Sequence, residues 1–170
     1  MMRILSACAA LAIGVMSVAP ADAAFLPERI KVVEVIDGDD FYFTVPENGA
    51  ASAGITYRGK LMGVDAPDKQ QCFADRSRLL LKELIGGKSI QVKYDSGDKF
   101  SDHGGFHLMY LYWGVNDELD VNAAMIETGH GVVASPEFDR KREFVGLEER
   151  AEKNGRGGWA SISDGGCIPD

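Results

Sequence analysis

The chain has 170 residues, with 26 acidic and 18 basic side chains and a formal net charge of −8 at pH 7. A protein that holds nucleic acid mainly through its phosphates usually presents a basic surface. The composition therefore argues against strong nonspecific nucleic-acid binding. No repeat, low-complexity segment or linker divides the sequence, so we expect a single folded domain.

The first 23 residues are predicted to be a secretory signal peptide. A short positive start precedes an apolar run, and the small residues of Ala21–Ala23 form a cleavage signal. An uncleaved membrane anchor is the alternative, although the run is short for a span. We therefore expect a mature domain of residues 24–170 that is periplasmic or secreted and has no stable membrane insertion.

The remaining elements follow in chain order. Alternating β-branched and aromatic residues predict five strands, over 29–36, 40–45, 55–64, 88–94 and 106–113. Helical spacing of apolar residues predicts helices over 72–85, 120–129 and 142–155. This order predicts an α+β, mainly β fold: an OB-type (oligonucleotide/oligosaccharide-binding) five-stranded barrel with about three helices. A generic α+β sheet is the alternative.

The stretch VIDGDDFYF, residues 35–43, has two interpretations. Asp-Gly between alternating apolar runs is typical of a type I′ hairpin turn, in which the glycine has a positive φ and the acids are solvated. On the other interpretation, the aspartates supply half of a metal site.

Two cysteines remain after removal of the signal peptide, Cys72 and Cys167. In an exported chain they predict a disulfide that ties the C-terminal tail to a loop near the middle. Two free buried thiols are the alternative. Paired Cys-x-x-Cys motifs are absent from the sequence, so zinc is not expected.

Five stretches resemble the motifs of staphylococcal-nuclease-like (thermonuclease) domains and occur in the same order. They are VIDGDDFYF, LMGVDAPDKQ, SDHGGFHLMYLY, DVNAAMIETGHG and LEERAEKNGRGGW. The resemblance runs from about Ile30 to Trp159. It implies an OB-type barrel with helices and, ancestrally, a calcium-dependent phosphodiesterase that acts on DNA and RNA.

The same resemblance implies where calcium would bind. The family's ligands fall on Asp39, Asp65 and the backbone carbonyl of Ala66. Two carboxylates, a carbonyl oxygen and water suit a hard cation. Two alternatives therefore remain for the VIDGDDFYF stretch: it is part of a weak calcium site, or it is only a turn.

The family's catalytic positions are altered in this sequence. The glutamate that activates water falls on Asp68, whose side chain is one methylene shorter. The two arginines fall on Lys60, which keeps the charge but not the bidentate geometry, and on Phe106, which has no charge. Arg58 lies two residues before Lys60 and so on the same face of the strand, which makes it a candidate substitute.

Three hypotheses follow. In the first, catalysis is lost or weakened and the protein is an exported accessory factor. OB-type barrels also bind oligosaccharides, and the chain resembles a nuclease-like protein found with succinoglycan (exopolysaccharide) biosynthesis genes of rhizobia, so polysaccharide machinery is a predicted partner. In the second, the chain is an active calcium-dependent endonuclease of DNA or RNA, in which Arg58, His103 or His107 replaces the lost arginine. In the third, it is a purely structural periplasmic domain.

Overall fold

The computed structural model describes residues 27–46, 55–96 and 105–167; the predicted signal peptide and His103 lie outside them. The strands of the described residues are β1 (Arg29–Val35), β2 (Asp40–Thr44), β3 (Thr56–Leu61), β4 (Val64–Asp65), β5 (Ser89–Lys93), β6 (His107–Trp113), β7 (Leu119–Asp120) and β8 (Val132–Val133). The α-helices are α1 (Ala74–Ile85), α2 (Val121–Glu127) and α3 (Lys141–Lys153). Within the described ranges, no helix has the length and apolar character needed to cross a membrane.

Five of these strands form a closed barrel. They pair in the order β3-β2-β1-β5-β6, and a parallel pairing of β3 with β6 closes the ring. Alternate residues of each strand point inward, so large apolar side chains such as Phe41, Phe43, Ile90 and Leu111 fill the interior. The predicted α+β fold with an OB-type five-stranded barrel and three helices is confirmed.

The predicted third strand, over residues 55–64, is interrupted. Gly63 has a φ of +75°, and a Cβ there would lie 2.5 Å from the ring of Phe138. The chain therefore turns out of the barrel after β3, and β4 pairs with β8 in a separate two-stranded sheet. The prediction of one uninterrupted strand over residues 55–64 was wrong. The chain turns at Gly63, where only glycine has both the backbone freedom and the small size that the turn requires.

The turn between β1 and β2 differs from the predicted type I′ hairpin. Gly38 is not among the glycines with positive φ, so the type I′ prediction was wrong. A Cβ at Gly38 would instead lie 2.6 Å from Cβ of Ala66 and 2.7 Å from Cβ of Ser77. The glycine is needed because the turn packs directly against α1 and against the segment that follows β4.

The side chain of Asn122 connects α2 to the seam where β3 meets β6. It is fully buried, and its Oδ1 accepts a hydrogen bond from the Leu111 N–H (2.9 Å). Its Nδ2 donates to the carbonyls of Met62 (2.9 Å) and Met109 (3.1 Å). One amide thus satisfies three main-chain groups at the position where β3 has already left the barrel.

We expect Asn122→Ala to lower the free energy of unfolding by about 3 kcal/mol or more, because it leaves buried main-chain groups without partners. Urea denaturation followed by circular dichroism measures the change. Asn154→Ala is the matched control, since its Nδ2 donates to the Arg150 carbonyl at an exposed site, and its effect should stay below about 1 kcal/mol. Equal losses in the two variants would contradict the role assigned to Asn122.

The predicted disulfide between Cys72 and Cys167 is present and joins residues 95 positions apart. Closing a loop of that size stabilises a fold by about 4 kcal/mol on the chain-entropy model. The disulfide, Phe73, His130 and Trp159 line a cavity of about 300 Å³. The C-terminal segment is therefore fastened to the start of α1 by a covalent bond.

His130 is half-buried beside this cavity. Its Nδ1 lies 3.0 Å from Oγ1 of Thr128, and its ring centroid lies 4.9 Å from that of Phe73. Burial lowers the pKa of His130 below its usual value, and the charge of Arg76 acts in the same direction. The folded protein therefore favours the neutral imidazole.

A pH dependence of stability follows from this shift. Below about pH 6.5 the unfolded chain protonates His130 while the folded chain resists protonation, so stability falls as the pH falls. We expect the difference in Tm between pH 7.5 and pH 5.5 to be smaller in His130→Phe than in the wild type. The other two histidines are the same in both proteins, so the comparison isolates His130; an unchanged difference would contradict this assignment.

Candidate active site

Asp39 is the central carboxylate of the candidate site. It lies in the turn before β2 with 2% of its surface exposed. Its Oδ2 is 2.7 Å from Nζ of Lys60 and accepts a hydrogen bond from the Ala66 N–H at 3.3 Å. The structure thus brings three of the residues singled out in the sequence into direct contact.

The pairing of β2 with β3 fixes this contact. Asp40 lies opposite Lys60 in the ladder, and the Leu61 N–H donates to the Asp39 carbonyl at 2.8 Å. Hydrogen bonds between β2 and β3 hold the two main chains side by side, so the Lys60 side chain easily reaches the Asp39 carboxylate. Lys60 keeps one third of its side chain exposed.

The ionisation of this pair reflects both burial and charge. Burial raises the pKa of Asp39 to about 7, although the hydrogen bond and the positive charge of Lys60 act in the opposite direction. Burial also opposes the charged form of Lys60, but the hydrogen bond to Asp39 and the surrounding negative charges outweigh it and raise the pKa of Lys60. The ion pair therefore forms as the pH rises through about 7.

A second ion pair lies beside the first. Asp40 is also 2% exposed, and Nε of Arg58 donates to both of its carboxylate oxygens, at 3.0 and 2.9 Å. The guanidinium carbon of Arg58 lies 4.3 Å from the centroid of the Phe106 ring, and Nζ of Lys60 lies 5.9 Å from it. Both cations thus share one face of β3, as strand alternation predicts, and the guanidinium stacks on the aromatic residue that replaces the arginine.

Sequence reasoning did not identify Asp40 as the partner of Arg58. The ladder sets Tyr42 opposite Arg58, so Asp40 is a diagonal neighbour on the same face. That relation depends on the register of β2 with β3, which no local pattern reveals. His107, a candidate substitute for the lost arginine, packs with its ring centroid 5.4 Å from that of Tyr57.

The other two acidic candidates are exposed. Asp65 ends β4, and Asp68 lies in a turn in which its N–H donates to Oε1 of Gln71 at 2.9 Å. Across the described ranges, no hydrogen bond or ion pair joins either carboxylate to Asp39 or Lys60. The structure therefore does not connect the candidate base with the buried pair.

A groove of about 660 Å³ begins at Lys60 and Asp65 and extends along the barrel. Met62, Leu108 and Phe138 contribute apolar surface to it. The charged residues of the described chain that line it are Lys60, Asp65, Asp95 and Glu137. Because Lys60 is already paired with Asp39, the groove has an excess of negative charge.

A family model described as "Staphylococcal nuclease homologue" matches residues 58–161, which carry β3, both cations and the helices. The chain belongs to this family. It is 31% identical over 171 residues to the protein ParB of Escherichia coli, covering 92% of this chain and 84% of that protein. It is 29% identical over 139 residues to an uncharacterized endonuclease of Escherichia coli O157:H7, covering 82% and 80%.

A third relative, from Oryza sativa subsp. japonica, matches over a shorter stretch. A probable staphylococcal-like nuclease of that plant is 31% identical over 105 residues, which are 62% of this chain. The chain spans only 26% of the length of that relative. These relatives support a nuclease-like domain, and nucleases of this family typically use calcium.

The donor set does not fit calcium as it is arranged here. One oxygen of Asp39, Oδ2, already has an ammonium and an amide N–H as partners. The ranges that the structure describes contain no group of three or more His, Cys, Asp or Glu side chains able to hold a metal ion. Calcium at Asp39, Asp65 and Ala66 stays a prediction from the resemblance.

We expect Arg58→Met to lower the free energy of unfolding by about 1–3 kcal/mol, because it leaves the buried carboxylate of Asp40 without its counter-charge. The double variant Asp40→Asn/Arg58→Met should recover part of the loss, since the uncompensated charge is gone. Urea denaturation measures both. Arg78→Met serves as control, because Arg78 only faces the exposed Asp75 at 4.0 Å. An effect of Arg58→Met no larger than that of the control would contradict the assignment.

Proposed function

We propose that this member of the staphylococcal nuclease homologue family is an exported protein whose phosphodiesterase chemistry is lost or strongly weakened. The observation that carries the proposal is that both cations near the site already have carboxylate partners. Lys60 is bound to Asp39, and Arg58 is bound to Asp40. A phosphate entering the site would have to compete with these buried aspartates for each cation.

Phosphodiester cleavage needs positive charge that is free to stabilise the phosphorane-like transition state. Removal of one such group commonly costs 10²- to 10³-fold in rate. Here one family arginine is replaced by Phe106, and the other by Lys60, whose single ammonium is already engaged. The shorter Asp68 is exposed and is not linked to the pair, which weakens a third contribution.

Electrostatics also disfavours a polyanionic ligand. The groove beside Lys60 is lined by Asp65, Asp95 and Glu137, and the whole chain has a formal charge of −8. Negative charge along a cleft lowers the local concentration of nucleic acid and slows its association. A binding or accessory role with a ligand other than nucleic acid is more consistent with this groove.

Export to the periplasm or the medium is part of the proposal. It is supported by the signal-like leader and by the Cys72–Cys167 disulfide, since structural disulfides persist in oxidising compartments. A role with exopolysaccharide machinery stays a prediction from the sequence resemblance.

An active calcium-dependent endonuclease is the second candidate. It is supported by the relative named as an endonuclease and by the retained acids Asp39, Asp65 and Asp68. In that case Arg58 would supply the charge that Phe106 lacks, after exchanging Asp40 for the phosphate.

A cleavage assay separates the two candidates. We expect the mature wild type, with calcium and single-stranded DNA, to cleave no faster than its Asp65→Asn variant, which controls for contaminating nuclease. We expect Lys60→Arg/Asp68→Glu/Phe106→Arg, which restores the family's residues, to gain at least about 100-fold over that background.

Calcium-dependent cleavage by the wild type that disappears in Asp65→Asn would overturn the proposal. Arg58→Met would then show whether Arg58 is the substitute cation. Equal cleavage by all three proteins would identify a contaminant. The wild type would then be inactive, as proposed, but the assignment of the loss to Lys60, Asp68 and Phe106 would be contradicted.

A further inference from the structure

We propose that the Lys60 ammonium is the resident cation of Asp39 and keeps calcium out of the wild-type site. The calcium ligands implied by the family resemblance would then be a latent site, which becomes available when the amine is removed. This inference does not depend on the proposed loss of catalysis, because its readout is ion binding and not cleavage.

The geometry of the pair favours the lysine over an external ion. Nζ of Lys60 lies 2.7 Å from Oδ2 of Asp39, which is the distance of a charge-assisted hydrogen bond. The Ala66 N–H approaches the same oxygen at 3.3 Å. Two positively polarised hydrogens therefore point at Oδ2 and disfavour a second cation beside that oxygen.

The lysine is also positioned before any ligand arrives. The β2–β3 ladder fixes its backbone opposite Asp40, and the Phe106 ring lies 5.9 Å from its ammonium. Lys60 is part of the chain and loses no translational entropy when it pairs with Asp39, whereas a calcium ion does when it binds. The remaining calcium donors, exposed Asp65 and the Ala66 carbonyl, are too few to make a strong site.

The net charge of the local cluster supports the latent site. Asp37 accepts the Asp39 N–H at 3.1 Å, so its carboxylate stands close to the pair. Without Lys60, the neighbouring carboxylates of Asp37 and Asp39 would be left without that counter-cation, with Arg58 occupied by Asp40. An excess of carboxylates without a counter-cation favours binding of a hard divalent ion.

The test compares Tm in calcium chloride and in magnesium chloride at equal ionic strength. We expect no calcium-specific change for the wild type. For Lys60→Met, which keeps the length of the side chain but removes the amine, we expect a rise of about 4 °C when calcium is tenfold above its Kd.

Two variants control for other causes. Lys31→Met removes the same charge from a lysine that bonds to the Gly87 carbonyl and not to Asp39, so it should show no calcium response. Lys60→Met/Asp39→Asn should lose the response gained by the single variant. A calcium response of similar size in Lys31→Met would overturn the assignment to Asp39, as would a folded Lys60→Met without any response.

A measurement on the wild type alone covers the case in which Lys60→Met does not fold. The Ala66 amide donates to Asp39, so its ¹H–¹⁵N signal reports on any ion that reaches that carboxylate. We expect this signal to stay in place when calcium is added to millimolar concentration. A saturable shift of the Ala66 signal with calcium, absent with magnesium, would overturn the proposal.

Discussion

The closed barrel depends on one buried amide. Where β3 leaves the ring after Leu61, the Met62 N–H still donates to the Met109 carbonyl at 2.9 Å, but the Leu111 N–H and the Met62 carbonyl need a partner from outside the two strands. The side chain of Asn122 takes the place of the missing strand and bonds to Met62, Met109 and Leu111. Because the seam is held there, the chain can turn at Gly63 and carry Asp65 and Ala66 back toward Asp39. The candidate site therefore exists as a consequence of how the barrel closes.

The site lies where the family's site lies, but its positive side chains are paired differently. In a phosphodiesterase, cations near the metal must stay free for the substrate. Here the register of β2 with β3 pairs each cation with a buried aspartate, Lys60 with Asp39 and Arg58 with Asp40. Phe106 then provides a ring for the guanidinium to stack on. The result is a cluster in which each of these two cations is paired with a buried carboxylate.

Much of the fold could be predicted from the sequence because strand alternation and helical spacing are local signals. The five barrel strands and three helices follow from them, and the disulfide follows from two cysteines in a chain with a predicted signal peptide. The break at Gly63 and the role of Gly38 could not be predicted, because both depend on what packs against the glycine from elsewhere in the chain. Likewise, both ion pairs depend on the register of two strands: the sequence singled out Asp39, Lys60 and Arg58 as separate candidates and did not predict how they pair.

The glycine of the first motif has a consequence for how such motifs are interpreted. Gly38 leaves no room for a methyl group, since Ala66 and Ser77 lie against it. Selection for packing alone would preserve that glycine, and burial would preserve compact polar neighbours, even in a lineage that no longer cuts nucleic acid. In this chain the Asp-Gly-Asp sequence therefore marks the contact between a barrel turn and α1. Packing alone explains its glycine, so the motif by itself is not a sign of nuclease activity.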